Sequence, residues 1–395
     1  MGYSARPTIE SHRRTATADM RALQLVCPDL PSLDEMTRDL RRIWKTGRVT
    51  NFGPLHDALE ARCAAYLGCE VAAVASGTTG LILTLFALDL SPGSEVVIPS
   101  FTFAATAQAV LCANLIPRFC EVEEDGNLSP THLEELLTRH RRIGAVVPVH
   151  VFGSPADVAR IQEVVDLRRR RIRVIYDAAH AFGARVGERM IGTFGDAEVF
   201  SLSATKPLVA GEGGLVASRN RNLIARIRTA RNYGLRRDNL AKVRGLNGKL
   251  SELHALVAFH NLALLEERLE RRRIRAARLR GMIEAKTRFE CLPLRNGDLP
   301  TFKDFTIRVP RGASRRAILE ALALAQIEAR IYFAPPLHRQ RLFRDSVARD
   351  AVAPRLPTTD ALSRSVITVP FRTDVSDAEM RRLCLALRSV LDHAV

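Results

Sequence analysis

Lysine is scarce in this chain of 395 residues, although basic residues are abundant. Of its 59 lysine and arginine residues, 53 are arginine and six are lysine. Arginine cannot act as an amine nucleophile because its guanidinium group stays protonated, whereas a desolvated lysine can lose its proton and attack a carbonyl group. A chain that uses arginine for positive charge therefore directs attention to its few lysines: Lys45, Lys206, Lys242, Lys249, Lys286 and Lys303.

Long apolar runs and paired cysteines are also lacking. No apolar run approaches the roughly 20 residues that a membrane-spanning helix needs, and the polar N-terminal residues lack the apolar segment of a signal peptide. The seven cysteines are odd in number and include no Cys-X-X-Cys pair, which argues against a disulfide framework and a zinc site. We therefore expect a cytoplasmic protein with no metal and no membrane partner, beginning with a disordered tail over residues 1–22.

Positive charge is present in large excess. The net charge of +16 and the isoelectric point near 10.3 suggest nucleic acid as one class of partner. The arginines, however, are spread over the whole chain, as expected from a compositional bias, and arginines on helices are usually solvated. We therefore favour a protein without a nucleic-acid partner and keep DNA binding as an alternative.

Short apolar, β-branched runs alternate with helical stretches from about residue 55 to residue 220. Strands that alternate with helices indicate an α/β fold, with a mostly parallel sheet of seven strands covered by helices on both faces. The intervening helices include Ala104–Ala113, Pro130–Arg139 and Pro155–Arg169. The predicted strands are Val71–Ala75, Glu95–Pro99, Pro117–Glu121, Ala145–His150, Arg173–Asp177, Ala197–Ser201 and Gly214–Ser218.

The C-terminal third has a different pattern. A charged helical stretch runs from Ser251 to about Glu284 and is expected to link two domains. It is followed by helices at 313–325 and 376–392 and by strands Phe305–Val309, Glu328–Phe333 and Val366–Val369. We predict a large domain over residues 23–250, and a linker helix with a smaller α+β domain over residues 251–395.

Ligands of open α/β sheets bind beyond the carboxyl ends of the strands, so the residues that follow each strand are informative. Residues 76–80, Ser-Gly-Thr-Thr-Gly, open a helix after the first strand, where backbone N–H groups favour a phosphate. Serine and threonine are also ordinary helix N-caps, so this segment alone is weak support for a binding site. After the second strand, Phe101 and Phe103 can stack on a planar ligand or pack in the core.

A carboxylate and an amine follow the fifth and sixth strands. Asp177 ends an apolar strand, where it needs a cationic partner or a capping role, and His180 lies three residues further on. Ser201 ends the sixth strand, and Lys206 follows five residues later. At one edge of the sheet these segments offer a phosphate cup, an aromatic ring, a carboxylate and an amine. Pyridoxal 5′-phosphate requires this set for its phosphate, ring, pyridine nitrogen and aldehyde.

From about Thr50 to the C-terminus, the chain resembles the DegT/DnrJ/EryC1/StrS family of sugar aminotransferases, which have the fold-type I architecture of pyridoxal-phosphate enzymes. Taken together, the motifs that carry this resemblance are highly specific. They are residues 50–54 (TNFGP), 76–79 (SGTT), 99–106 (PSFTFAAT), 177–184 (DAAHAFGA), 195–201 (GDAEVFS), Lys206, 212–214 (EGG), 245–252 (GLNGKLSE) and 332–338 (YFAPPLH).

The resemblance implies roles for individual residues. Lys206 would bond to the cofactor aldehyde, Asp177 would pair with the pyridinium nitrogen, and His180 would approach the phenolic oxygen. Asn247 would reach the phosphate of the neighbouring subunit's cofactor, which implies a homodimer with shared active sites. The other implied cofactor contacts are Gly77, Thr78, Thr79, Phe103 and Ser201. The implied substrate contacts are Thr50, Lys249 and His338.

The resemblance also implies a reaction. We expect an amino group to move from L-glutamate to a nucleotide-linked keto sugar, such as a 4-keto-6-deoxyhexose, in amino-sugar biosynthesis. Ser203 stands where many sugar 4-aminotransferases have a histidine, which leaves the sugar open. Alternatives are a 3-keto sugar, a keto-cyclitol, an aromatizing dehydration, or a non-catalytic DNA-binding relative. Retention of Lys206 favours transamination, because relatives that dehydrate replace this lysine with histidine.

Overall fold

The structure of the protein, a computed structural model, describes residues 22–236, 238–346 and 354–392. The disordered tail predicted over residues 1–22 lies outside the described residues except at its last position. Within these ranges, no helix is both long and apolar enough to cross a membrane.

Two helices, α1 (Leu33–Thr46) and α2 (Pro54–Leu67), precede an alternating series of strands and helices. That series consists of β1 (Glu70–Val74), α3 (Gly77–Leu88), β2 (Glu95–Pro99), α4 (Ala104–Cys112), β3 (Ile116–Cys120), α5 (Pro130–Arg139), β4 (Ile143–Val146), α6 (Val158–Asp166), β5 (Arg173–Asp177), β6 (Arg185–Val186), β7 (Arg189–Met190), β8 (Ala197–Ser201), β9 (Gly214–Ser218) and α7 (Arg221–Ala230). A 3-10 turn, Val151–Gly153, lies between β4 and α6.

The predicted seven-stranded, mostly parallel sheet is confirmed. Its strand order is β1-β9-β8-β5-β4-β2-β3, and only β9 runs antiparallel to its neighbours. The bounds of β2, β5, β8 and β9 are those predicted from the sequence. All five residues of β2 and of β9 are buried, because helices cover both faces of the sheet.

Two predicted elements of this region are shorter in the structure. The strand predicted at Ala145–His150 ends at Val146, where Pro148 interrupts the ladder because proline has no N–H to donate. The helix predicted at Pro155–Arg169 begins only at Val158, because the Asp157 side chain caps it by accepting a hydrogen bond from Arg160 N.

The helical stretch predicted from Ser251 is divided into α8 (Glu252–Ala263) and α9 (Leu265–Lys286), which meet at Leu264. Ala255 and Leu265 pack in a core shared with the large sheet, whereas Ala276 and Ile283 pack in a separate C-terminal core. Helix α9 therefore contributes to both cores.

The C-terminal core lies on a second sheet, in which β10 (Glu290–Cys291), β12 (Phe305–Arg308) and β13 (Val366–Val369) are neighbours in that order. Leu23 also packs in this core, because its backbone pairs with Ile327. The remaining elements are β11 (Asp298–Leu299), α10 (Arg315–Leu324), a 3-10 turn (Leu337–Arg339), α11 (Arg341–Ser346), α12 (Pro357–Ser365) and α13 (Asp377–Asp392). Strand β11 pairs with β6, which also pairs with β7.

The strand predicted at Glu328–Phe333 is wrong. Only Arg330 of this segment pairs with β13, through a single bridge to Thr368. Further on, the chain leaves the sheet and places Tyr332 and Phe333 at a cavity beside the large sheet. The apolar residues of this segment thus pack partly against the second sheet and partly at the cavity, and they do not form a strand.

Candidate active site

A cavity of about 350 Å³ lies at the carboxyl ends of β1, β5 and β8. Strands β1 and β8 are brought together there by β9, because Val74 and Ser201 both pair with Gly214. A Cβ on Gly214 would lie 2.5 Å from the carbonyl carbon of Ser76, so only glycine allows this approach. The glycine cluster of the sequence thereby sets the distance between two of the predicted site segments.

The first of these segments forms the N-terminus of α3. Ser76 caps the helix: its Oγ accepts a hydrogen bond of 3.0 Å from Thr79 N. Gly77 and Thr78 line the cavity, and a Cβ on Gly77 would lie 3.0 Å from Ser201 Cβ. The amides of Gly77 and Thr78 belong to the first helical turn, which leaves N–H groups without partners inside the helix. With the Ser201 hydroxyl they form a cup suited to an anion.

Thr79 has a different role from the other members of this segment. Its N–H is engaged by Ser76, and its hydroxyl accepts a hydrogen bond of 2.9 Å from Ser76 Oγ. Its methyl group faces Gly248, where a Cβ would lie 2.9 Å from Thr79 Cγ2. Thr79 therefore supports the cup through its contacts with Ser76 and Gly248 and does not line the cavity. The sequence could not distinguish this role from a direct ligand contact.

Asp177 ends β5 and points into the cavity with 6% of its surface exposed. Its Oδ2 accepts a hydrogen bond of 2.8 Å from Thr106 Oγ1, and its Oδ1 accepts one of 3.2 Å from Ala179 N. Burial raises the pKa of Asp177, while these two hydrogen bonds and the charge of Lys206 oppose that rise. The carboxylate is thus fixed in position and needs a cationic partner from a ligand.

Lys206 lines the same cavity, in the turn after β8, where its N–H donates to Ser203 O at 3.0 Å. Burial, followed by the charge of Lys303, lowers the pKa of Lys206 from 10.5 to about 8. In the described part of the chain, its amine has no hydrogen bond and no ion pair. Nucleophilic and proton-transfer chemistry requires an unengaged amine that readily loses its proton, and the lowered pKa of Lys206 favours that loss.

His180 also lines the cavity, and its buried Nδ1 has no hydrogen-bond partner among the described residues. Burial, reinforced by the charges of Lys206 and Lys303, holds the pKa of His180 well below its usual range. A neutral ring with an unpaired nitrogen can contact a polar atom of a ligand.

Of the two aromatic rings after β2, only one faces the cavity. Phe103 is 64% exposed and lines the cavity at the start of α4. Phe101 is fully buried and packs edge-on against Phe152 and Phe333. The residue pattern left both roles open for this pair, whereas the family resemblance named Phe103 as a cofactor contact; in the structure Phe103 is the ring that lines the cavity.

Several lining residues were not predicted from the sequence as site residues. Lys303 and Asp304 come from the loop before β12, and Lys303 Nζ lies 2.7 Å from Asp304 Oδ1. The scarcity of lysine was a usable signal for Lys303. Glu212, Tyr332 and Phe333 are further lining residues that were not predicted, and all three lie inside the quoted family motifs.

Three predicted site residues do not line the cavity of this chain. Asn247 and Thr50 are exposed. Lys249 Nζ donates to Asn232 Oδ1 at 3.4 Å and lies 4.7 Å from the centre of the Tyr233 ring. Their two segments meet each other, because Glu252 N donates to Val49 O at 2.9 Å.

His338, predicted to contact the substrate, is buried and lies behind the cavity. Its Nδ1 shares a hydrogen bond of 2.7 Å with Ser100 Oγ, and its Nε2 lies 3.4 Å from Asp360 Oδ1. Its backbone N–H also donates to Ser100 Oγ at 3.0 Å. The structure therefore gives His338 contacts that link the C-terminal part of the chain, at Asp360, to Ser100 at the end of β2.

The groups in the cavity fit pyridoxal 5′-phosphate. The cup at α3 suits its phosphate, the open face of Phe103 suits its ring, and the buried Asp177 suits a protonated ring nitrogen. The unpaired nitrogen of His180 and the amine of Lys206 remain for the phenolic oxygen and the aldehyde.

Comparison with known proteins gives consistent results. Residues 32–388 match the DegT/DnrJ/EryC1/StrS aminotransferase family. The dTDP-4-amino-4,6-dideoxy-D-glucose transaminase of Escherichia coli is 28% identical over 362 residues, covering 90% of this chain and 95% of that protein. The UDP-N-acetyl-3-dehydro-alpha-D-glucosamine 3-aminotransferase of Acidithiobacillus ferrooxidans is 31% identical over 340 residues, with coverage of 85% and 88%. The chain is also similar to DesI, whose crystal structure was determined in the presence of its TDP-sugar product. The two sequences are 30% identical, and the structures align with a TM-score of 0.87 over 96% of this chain and 95% of DesI.

Proposed function

Because the chain belongs to the DegT/DnrJ/EryC1/StrS aminotransferase family, we propose that it transfers an amino group from L-glutamate to a nucleotide-linked keto sugar. The predictions of family, fold and a transaminase dependent on pyridoxal phosphate are confirmed. The observation that carries the proposal is the position of the Lys206 amine, which shares one cavity with the buried Asp177 carboxylate and the N-terminus of α3.

The favoured acceptor is a 4-keto-6-deoxyhexose bound to a nucleotide. The Escherichia coli relative is a dTDP-4-amino-4,6-dideoxy-D-glucose transaminase, and the DesI structure was determined in the presence of its TDP-sugar product. A nucleotide-linked 3-keto sugar is the second candidate, because the Acidithiobacillus relative is a 3-aminotransferase. Ser203 lines the cavity and is a natural position for distinguishing the two.

When bound, the cofactor supplies an electron-withdrawing ring that stabilises negative charge at the carbon that loses a proton. Asp177 holds the ring nitrogen in its protonated form, and its hydrogen bonds from Thr106 and Ala179 keep the carboxylate in place. Gly77, Thr78 and Ser201 hold the phosphate at the N-terminus of α3, where the helix dipole favours an anion.

Lys206 acts as the mobile base. With its pKa lowered to about 8, a substantial fraction of its amine is neutral near physiological pH, so it can accept a proton from one substrate carbon and return it to another position. Phe103 would cover one face of the ring, and His180, whose lowered pKa keeps its imidazole neutral, would contact the phenolic oxygen. Burial of the site excludes water from these proton transfers.

The active unit in this proposal is a homodimer in the cytoplasm. Asn247 and Lys249 are supplied to the neighbouring subunit's cavity, together with Thr50, which lies on the adjacent segment. Their position supports this assignment, since none of the three lines the cavity of its own chain, and Asn247 and Thr50 are exposed. The prediction of a large domain over 23–250 and a smaller one over 251–395 remains part of the proposal.

The test is an assay of the purified holoenzyme with L-glutamate and either dTDP-4-keto-6-deoxyglucose or UDP-3-keto-N-acetylglucosamine, with mass spectrometry of the sugar. An amino sugar from the first acceptor supports the favoured reaction, and one from the second supports the alternative. A protein that binds no cofactor, or that yields no amino sugar from either acceptor, would contradict the proposal. Salt-sensitive binding to random duplex DNA by such a protein would instead support the DNA-binding alternative.

A further inference from the structure

The loop that carries Lys303 is held rigidly against the active site. Thr301 Oγ1 donates to His180 O at 2.6 Å, and Thr301 N donates to Gly153 O at 3.1 Å. The buried guanidinium group of Arg272 donates to the carbonyl oxygens of residues 301, 302 and 303. Phe302 has a φ of +50°, a left-handed conformation that is costly for an aromatic residue and persists only where the surroundings enforce it.

This loop delivers an ammonium group to the cavity. The Lys303 side chain is 7% exposed and forms an ion pair with Asp304. A lysine ammonium has three N–H donors, and within the described residues only one of them has an acceptor, Asp304 Oδ1 at 2.7 Å. Because a buried donor without an acceptor is unfavourable, the two remaining donors suit an anionic ligand that enters the cavity.

Lys303 has little competition for this role within its own chain. The sequence contains 53 arginines, yet among the described residues no arginine lines the cavity. The cationic side chains that do line it are Lys206 and Lys303, beside the neutral His180. In the proposed function Lys206 is engaged in the chemistry itself, which leaves Lys303 as the cation available to a substrate.

We propose that Lys303 binds the carboxylate of the amino donor that is adjacent to the amino group being transferred. This inference rests on the proposed function, in which an amino acid enters the cavity. Lys303 and Lys206 line the same cavity, and the charge of Lys303 contributes to the lowered pKa of Lys206, so an anion at Lys303 shares the cavity with the reacting amine. The Lys303 side chain is 7% exposed, whereas Phe103 on the same cavity is 64% exposed, so we expect the larger diphosphate of a nucleotide sugar nearer Phe103 than Lys303.

The test measures binding of glutarate, an unreactive dicarboxylate, to the holoenzyme by titration calorimetry, with dTDP as the comparison ligand. The variants are D304N and the double variant K303M/D304N, because K303M alone would leave Asp304 buried without its partner. We expect D304N to bind glutarate within about threefold of the wild type. We expect the double variant to bind it at least about tenfold more weakly, and all three proteins to bind dTDP within about twofold of one another.

The inference would be overturned if the two variants bound glutarate equally well or if the wild type did not bind glutarate. It would also be overturned if the double variant lost affinity for dTDP but not for glutarate. If the double variant fails to retain cofactor absorbance, K303Q serves in its place, since its amide still donates to Asp304 but lacks the charge. The proposed function is judged separately, by amino-group transfer from glutamate in the wild type. If the wild type binds glutarate through Lys303 but transfers no amino group, only the proposed function is contradicted.

Discussion

Thr106 Oγ1 donates a hydrogen bond of 2.8 Å to Asp177 Oδ2 across 71 positions of the chain. Thr106 lies in the first turn of α4, and Asp177 ends β5. Thr102 Oγ1 lies 3.2 Å from Thr106 Oγ1 and extends the chain of hydroxyl groups. The carboxylate that we assign to the cofactor nitrogen is therefore oriented by a helix that also presents Phe103.

Replacing Thr106 with valine removes this donor and keeps the shape of the side chain. Because the Thr106 hydrogen bond lowers the pKa of Asp177, its loss raises that pKa further and weakens the pairing with a cationic ring nitrogen. We expect T106V to weaken cofactor binding about tenfold, which corresponds to about 1.4 kcal/mol. Titration of cofactor absorbance measures this. T106S, which keeps the hydroxyl, should bind within a few-fold of the wild type, and equal affinity of all three proteins would contradict the assignment.

Lys206 is expected to be indispensable for amino-group transfer. K206R retains a positive charge and should lose amino-group transfer altogether, since a guanidinium group can neither bond to an aldehyde nor act as a base at neutral pH. Full activity of K206R, measured by mass spectrometry of the sugar product, would refute the proposed mechanism.

The stability effect of Lys206 has a defined pH dependence. Its pKa is about 8 in the folded protein against 10.5 ordinarily, so between these values the unfolded chain holds more protons and stability rises with pH. Below pH 8 the buried charge costs about 3 kcal/mol, an order-of-magnitude figure from the two pKa values. Urea unfolding of the cofactor-free proteins should therefore find K206M more stable than the wild type at pH 7. The difference should shrink at pH 10, and a constant difference would contradict the lowered pKa.

Gly214 should be intolerant of any side chain. Its Cβ would lie 2.5 Å from the Ser76 carbonyl carbon, so G214A must displace the segment that caps the phosphate cup. We expect a loss of about 2 kcal/mol in the free energy of unfolding, together with weaker cofactor binding. G281A is the matched control, because nothing lies within 4 Å of a Cβ at Gly281 in helix α9. It should be neutral or stabilising by up to about 1 kcal/mol in denaturant titrations.

Phe101 and Phe103 should respond oppositely to truncation. F103A removes an exposed ring and should leave the free energy of unfolding nearly unchanged while it weakens cofactor binding. F101A removes a buried ring and should cost about 3–5 kcal/mol of stability. Urea unfolding without cofactor, compared with cofactor titration, separates the two effects. A large stability loss in F103A would place that ring in the core and contradict its assignment to the ligand.

Local patterns allowed much of the sheet to be predicted. Four strands, such as Arg173–Asp177, have the bounds expected from their apolar runs, since these runs are buried on both faces and bounded by polar residues. The strand predicted at Glu328–Phe333 rested on the same kind of evidence, a short run rich in apolar residues, but it is absent from the structure. Its residues pack in two different places, against the second sheet and at the cavity. The pattern of apolar residues in the sequence cannot show which part of the fold each residue contacts.

The sequence by itself determined the chemical identity of the site. Lysine scarcity, the strand-end positions of Asp177 and Lys206, and the family motifs together indicate a pyridoxal-phosphate aminotransferase, because these features are local and chemically specific. Only the tertiary structure decided that Thr106 holds Asp177, that Phe101 is buried, and that Lys303 shares the cavity with Lys206. These relationships join residues distant in the chain, so they depend on how helices and loops pack around the sheet, which no local pattern encodes.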